Sequence, residues 1–236
     1  MCIALITPTG AREAQLRLCA KFMHRQSFTG DVCWVIVDDA LPRSSDFIVR
    51  AFHYQWDILK VYPEPMWVEG QNTQGRNLKA GIDALLMAYH PSQIEAIYII
   101  EDDDYYRPEY LQAMYDRMNG CDIWGETHTI YYNVRLRRWI ENQNAGWSSL
   151  FQTAFKVSAL PLFEMLYTQK FIDYEFFRLA SSVNLFKTEK KLSIGIKGLA
   201  GRKGIGSGHG FIPHMLSDAD GLKLRELIGN DADLYL

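Results

Sequence analysis

The chain reads as an α/β fold in which an open, mostly parallel sheet is flanked by helices and carries a smaller antiparallel sheet at its edge. Three observations predict it. The first 37 residues run strand, turn, helix, strand, the opening of a nucleotide-binding α/β unit. Ile97-Tyr98-Ile99-Ile100 then leads straight into Glu101-Asp102-Asp103-Asp104, a buried strand that delivers acids at its carboxyl end, where open α/β sheets bind ligands. From Cys121 to Trp139 the apolar period changes to two, as added antiparallel strands require.

Taken in order, Cys2 to Ile6 is a short apolar run that predicts a first strand, closed by the turn Thr7-Pro8-Thr9-Gly10. Ala11 to Arg25 carries Leu16, Cys19, Phe22 and Met23 at helical spacing. Val32 to Val37 predicts the second strand, ending in Asp38-Asp39. Residues 40 to 74 are irregular, with a short strand at Ile58 to Tyr62. Gln74-Gly75-Arg76-Asn77 then introduces a helix from Leu78 to Tyr89. Behind the acidic run, Pro108 opens a helix lined by Tyr110, Met114 and Met118. Leu150 to Val157 predicts a strand, Ala159 to Tyr167 a helix, and Leu192 to Ile196 the last strand. Asp173 falls where a helix begins, as an N-cap or first-turn acid.

The whole chain sets bounds. At 236 residues, 48% hydrophobic and 22% charged, it can bury the core of one domain. A net charge of −3 gives no global pull towards nucleic acid or anionic lipid, so any basic surface is local. Cys2, Cys19, Cys33 and Cys121 form no C-x-x-C pair, and no signal peptide precedes them. They read as reduced thiols of a cytoplasmic protein. No run approaches the roughly 20 apolar residues that span a bilayer. There is neither a G-x-G-x-x-G fingerprint nor a Walker loop.

Four consecutive carboxylates repel one another unless a cation lies between them. An extended backbone would put Glu101 and Asp103 on one side, Asp102 and Asp104 on the other. All-oxygen ligands favour Mg²⁺, Mn²⁺ or Ca²⁺ over zinc. Asp38, at a second strand end, is suited to accept hydrogen bonds from a base or ribose, and Arg76 to reach a diphosphate. The segment from Lys197 to Gly210 holds six glycines, Lys197, Arg202, Lys203 and His209. Its backbone can approach a phosphate closely and its cations match the charge. Together these features suit a nucleoside-diphosphate donor.

The ordered set Thr7-Pro8-Thr9, Val37-Asp38-Asp39, Gly75-Arg76-Asn77, Glu101-Asp102-Asp103-Asp104 and Asp173 resembles the family-2-like glycosyltransferases of the GT-A fold. More narrowly, Ile6-Thr7-Pro8-Thr9-Gly10, Tyr132-Asn133-Val134-Arg135, Phe171-Ile172-Asp173, Ile194-Gly195-Ile196-Lys197-Gly198 and Gly204-Ile205-Gly206-Ser207-Gly208-His209 look like a group of stand-alone transferases of tailed phages and prophages. The resemblance implies a single GT-A-like catalytic domain. Residues 1–120 would form its nucleotide-sugar half, and residues 121–236 its acceptor half with the glycine-rich loop 197–210. Thr7, Pro8, Thr9, Asp38, Asp39, Arg76, Asp102, Lys197, Arg202 and Lys203 would face the donor. Asp103 would be the main ligand of Mn²⁺ or Mg²⁺, with Glu101 in the first-acid place and His209 as a third ligand. Asp173 would be the general base of a single displacement with inversion. Tyr132, Asn133, Arg135 and Trp147 would face the acceptor.

The phage-type resemblance points to a hydroxymethylated pyrimidine in phage DNA, in the host cytoplasm. The base would be flipped into the site, with the Arg135, Arg137, Arg138 and Lys197, Arg202, Lys203 clusters on phosphates. A protein or surface glycan acceptor is the alternative. Two other readings remain. A sugar nucleotidyltransferase would share the half-site and metal but needs a longer basic loop after the first strand. A calcium-stabilised binding domain would need no nucleotide.

Overall fold

The structure, a computed structural model, describes residues 1–48, 56–202, 210 and 212–236. Its main sheet has seven strands. β1 (Cys2–Thr9), β2 (Asp31–Asp38), β3 (Asp57–Val61) and β4 (Ile94–Ile99) form the parallel half, in the order β4-β1-β2-β3. β5 (Tyr105–Tyr106) leaves for a second sheet. β6 (Ile123–Glu126), β9 (Thr153–Phe155) and β10 (Val183–Phe186) extend the first sheet beyond β4 in the order β10-β6-β9, β9 running antiparallel to both β4 and β6.

The parallel strands are apolar on both faces because both faces are covered. Leu5, Trp34 and Tyr98 point to one side, where α1 (Glu13–His24) packs Leu16 and Phe22, and α3 (Tyr110–Tyr115) packs Met114. Ile6, Val35 and Ile97 point to the other, against Leu78, Ile82 and Leu85 of α2 (Gln74–Ala88). On that same face α4 (Leu160–Leu166) and α5 (Ile172–Leu179) are pinned by three rings. Phe155 of β9 stacks on Phe163 at 5.8 Å and meets Phe176 edge-on at 5.1 Å.

The second sheet joins β7 (Thr129–Asn133), β8 (Arg138–Asn142), β11 (Ser193–Lys197), β12 (Leu216–Ser217) and β5 in the order β12-β8-β7-β11-β5. Its pairings are antiparallel except β7 with β11. α6 (Leu222–Ile228) closes the chain against the α1 face through Leu224.

The expected fold class is therefore met, with differences of detail. β1 does not end at Ile6 but continues through Pro8 to Thr9. The Ile6 carbonyl accepts from Ile100 N at 3.0 Å and the Thr9 carbonyl from Asp39 N at 3.2 Å. The nitrogen of Pro8 thus faces the β4 side, where pairing has already stopped, and its missing N–H costs no ladder bond. α2 starts at Gln74 rather than Leu78, so Gly75-Arg76-Asn77 lies inside its first turn. The 193–197 strand is not the last, and β10, β12 and α6 were not anticipated: they are short and carry little periodicity. Among the described residues no helix is long and apolar enough to cross a membrane.

Gly75 marks the tightest approach near the sheet's carboxyl end. A Cβ there would lie within van der Waals overlap of the Tyr167 carbonyl just after α4, and backbone cannot yield as a side chain does. Gly75→Ala is expected to destabilise the fold by about 1–3 kcal/mol, the cost of overpacking. At about 2–4 °C per kcal/mol for a chain of this size, thermal melting should read a fall of several degrees, and an unchanged midpoint would refute the packing.

Candidate active site

The carboxyl ends of β1 and β4 meet at a cleft of about 180 Å³. One wall is Thr9, Arg12, Gln74 and Glu101 to Asp103; the other is Tyr131, Phe151, Phe171 and Asp173. β4 stops at Ile99, and Glu101 to Asp104 form a turn rather than an extended continuation. The expected two-and-two alternation of the acids is overturned. Candidate ligand oxygens of Glu101, Asp103 and Asp104 all lie within 4.8 Å of one another.

Two cations hold this turn. Arg12, just ahead of α1, reaches Asp103 Oδ2 at 2.5 Å and Asp102 Oδ1 at 3.2 Å, while Thr9 Oγ1 donates to Asp102 Oδ2 at 2.7 Å. Lys197, at the end of β11 and buried, sits 3.1 Å from Asp104 Oδ1 and 3.9 Å from Glu101 Oε2. The Ile196 N–H also donates to Asp104 Oδ1 at 2.8 Å, and Gln74 Nε2 to Glu101 Oε1 at 2.8 Å. The rings of Tyr131 and Phe151 lie 5.5 and 5.9 Å from the Lys197 ammonium.

Burial pushes the Asp102 carboxyl up to about 7; Arg12 opposes the rise and the charge of Asp103 adds to it. Burial likewise raises Glu101 and Asp104, against the pull of Lys197. The Lys197 ammonium is pushed down by its own burial, but Asp104, Asp103 and Glu101 outweigh that and raise it. Four carboxylates thus face two cations among the described residues, which leaves charge for one divalent ion. Asp104 Oδ2 is buried with no hydrogen-bond partner. An all-oxygen set with uncompensated charge and an orphaned oxygen fits Mg²⁺, Mn²⁺ or Ca²⁺.

Asp173 stands across the cleft in the first turn of α5. Its Oδ1 accepts from Tyr174 N at 3.0 Å. Burial raises its carboxyl above the ordinary range, while backbone N–H groups of Tyr174, Asp173 and Leu150 pull it back.

The other expected site residues divide. Pro8 and Thr9 line the cleft, as do Asp102, Lys197 and Arg202. Thr7 does not: its hydroxyl is buried and accepts from Trp34 Nε1 at 2.9 Å. Asp38 is turned inward, where Oδ2 accepts from the N–H and hydroxyl of Ser45, both at 2.9 Å. Asp39 is a buried knot. Arg202 reaches it at 2.6 Å, Thr73 at 2.5 Å, Asn77 at 2.7 Å and Arg76 at 3.1 Å, and Arg202 also lies over the Trp67 ring at 4.3 Å. Gly10 permits this, since a Cβ there would collide with Asp39 Oδ1.

Arg76 is spent on Asp39 and the Pro65 carbonyl. Tyr132 and Asn133 are corrected from acceptor contacts to core residues. The Tyr132 hydroxyl donates to Asp218 at 2.7 Å, and Asn133 Oδ1 accepts from Leu136 N at 2.9 Å. It is Tyr131, on the opposite face of β7, that reaches the cleft. Arg135 is exposed, and Trp147 rests edge-on against Tyr174 at 6.1 Å. Arg137 and Arg138 donate to the carbonyls of Leu236 and Met215. Lys203 and His209 lie outside the described residues. Arg12, Gln74 and Tyr131 were missed. Only Arg12 had a signal, a cation where a helix start ordinarily prefers an acid.

No protein-family model matches the chain, and no curated protein sequence does. Solved structures do. S. aureus TarS 1-349 in complex with UDP superposes with a TM-score of 0.60 at 14% identity, covering 83% of this chain and 60% of that one. The same fragment in complex with UDP-GlcNAc gives 0.60 at 15% identity, with 90% and 62% covered, and the longer TarS structure 0.57 at 15%, with 83% and 37% covered. The chain spans about 60% of the TarS fragment's length. The likeness establishes the fold, which is GT-A-like.

The Asp39 knot sets an acid dependence. Burial alone would raise this carboxyl, but the bonds from Arg202, Thr73 and Asn77 hold it below the usual carboxylate value. The stability it supplies is therefore full above the unfolded value of about 3.9 and is lost as pH falls through the lower folded value. Asp39→Asn is expected to cost on the order of 3 kcal/mol at pH 7, leaving Arg202 unpaired. In urea melts the gap to wild type should close as pH drops below 4; a pH-independent gap would count against the knot.

Proposed function

We propose that the chain is a nucleotide-sugar-dependent glycosyltransferase, moving a sugar from a nucleoside-diphosphate donor to an acceptor hydroxyl with inversion. The observation that carries this reading is the pairing, across one cleft, of an under-neutralised acid turn with the single carboxylate of Asp173. The shared fold of TarS, determined in complex with UDP and with UDP-GlcNAc, supports it.

In this reading Asp103 and Glu101, which face the cleft, hold a divalent cation, with Asp104 beneath them. Bound there, the ion would neutralise charge on the departing diphosphate. Arg12 and Lys197 keep the carboxylates from repelling one another out of position. Arg202, on the cleft wall and anchored by Asp39, offers its remaining guanidinium surface to the donor, and Thr9 orients Asp102. Asp173 takes the proton from the acceptor hydroxyl as that oxygen attacks the anomeric carbon, and the glycosidic bond to the diphosphate breaks on the opposite side. Burial raises its carboxyl, the direction that makes it a stronger base.

Four measurements test this. Nucleotide sugars screened with and without Mn²⁺ should raise the melting temperature by mass action, most with the ion present; no shift with any donor would sink the proposal. Asp103→Asn should abolish donor turnover with the fold intact, and so should a chelator. Asp173→Asn should lose about 10²–10⁴-fold in transfer while donor affinity persists; if donor binding disappears too, Asp173 is structural. Transfer by wild type should rise with pH through a value above the ordinary carboxylate range, since only ionised Asp173 accepts the proton, and that limb should vanish in Asp173→Asn.

A further inference from the structure

Resting on that transferase reading, we infer that Arg12 is an internal rival of the divalent ion: its guanidinium holds Asp103 until a donor diphosphate draws it away. The local structure around Arg12 serves something other than its helix. It is the N-cap of α1, where Ser, Thr, Asp or Asn is ordinarily found, and its side chain makes no cap bond. Its charge also opposes the positive end of the α1 dipole. Ala11 before it takes a positive φ of 54°, which a non-glycine residue rarely adopts. Local preferences broken at adjacent positions mark a functional placement. The backbone N–H of Arg12 donates to Ser44 Oγ at 3.0 Å, which fixes the main chain, and the side chain lines the cleft.

The two cations on the acid turn are not equivalent. Lys197 is buried at the end of β11, its ammonium lies over the Tyr131 and Phe151 rings, and it shares Asp104 with the Ile196 N–H. It is built into the second sheet. Arg12 instead spans two acids unevenly, at 2.5 Å from Asp103 Oδ2 and 3.2 Å from Asp102 Oδ1, and its Nε is buried with no hydrogen-bond partner. Asp102 has a second donor in Thr9 Oγ1. Letting go of Asp103 therefore leaves Arg12 anchored on Asp102, with N–H groups to offer a phosphate oxygen. The hold on Asp103 is the one an ion contests, because Asp103 belongs to the oxygen set gathered within 4.8 Å. A guanidinium at bonding distance from that carboxylate repels a doubly charged ion entering the same set. A diphosphate attracts both cations and offers the guanidinium a planar, bidentate partner in exchange.

The test reads ion and diphosphate binding separately, on wild type, Arg12→Gln and Arg12→Lys. Mn²⁺ binding without nucleotide is followed by the electron paramagnetic resonance of the free ion. Arg12→Gln, which loses the charge, should bind Mn²⁺ about tenfold or more tightly than wild type, and Arg12→Lys, which keeps it, should stay near wild type. UDP binding at saturating Mn²⁺, measured by calorimetry, should weaken about tenfold or more in Arg12→Gln. A merely structural arginine would weaken both, so the opposite signs carry the result. Equal or weaker Mn²⁺ binding by Arg12→Gln, equal tightening in Arg12→Lys, or undiminished UDP binding by Arg12→Gln would each overturn the inference. If Arg12→Gln folds only with the ion, Mn²⁺ below the concentration that half-loads wild type should restore its melting transition; failure to fold at any Mn²⁺ concentration would make Arg12 structural and overturn the inference too. Wild type that binds Mn²⁺ but neither UDP nor any nucleotide sugar would remove the transferase reading, whereas wild type that binds both, with variants that match it, removes the inference alone.

Discussion

Four neighbouring carboxylates at the end of a buried strand are unstable as a group, and much of this molecule is arranged to hold them. β1 and β4 set the turn beside the start of α1, from which Arg12 spans Asp102 and Asp103. The second sheet brings the end of β11 alongside, so Lys197 meets the turn from the opposite direction and covers Glu101 and Asp104. Low dielectric strengthens both the repulsion among the acids and the attraction of the two cations. The remaining negative charge is what the proposed divalent ion would neutralise.

The second constraint is carried by Asp39. Its carboxylate gathers donors from the helix start at Thr73 and Asn77, from Arg76, and from Arg202 at the beginning of the glycine-rich segment. Three stretches far apart in sequence are thereby fixed around one wall of the cleft. A carboxylate so fully engaged shapes a binding site without itself being free to read a ligand.

The architecture was legible where the sequence has regular periods. Strands such as Ile97 to Ile100 show continuous apolar character because both faces are buried, and α1 and α2 show helical spacing. The acid turn was legible as a cluster in need of opposite charge, since like charges in sequence demand an explanation. What could not be read was the side to which each residue turns after the regular element stops. Glu101 to Asp104 leave the extended conformation, so alternation fails there. Tyr131 and Tyr132 are adjacent, and only the register of β7 with β8 and β11 decides which one meets the cleft. Arg135, Arg137 and Arg138 looked like a basic patch, but two of them tie down the C-terminal segment through contacts some 80 to 100 positions away. Arg12 gained its role only through Asp102 and Asp103, about 90 positions on, a pairing that local pattern does not encode.

Asp173 rides on two short helices fastened to the sheet by Phe155, Phe163 and Phe176, whereas the acid turn is braced from the opposite face by α1 and from the side by β11. The two walls of the cleft thus rest on different elements, which meet where Gly75 of α2 packs against the Tyr167 carbonyl. Residues along the α4–α5 rim can be exchanged without disturbing the groups that grip the acids. If the chain is the transferase proposed above, a scaffold divided in this way could be redirected to new recipients by rebuilding one wall while its means of activating the sugar stays as it is.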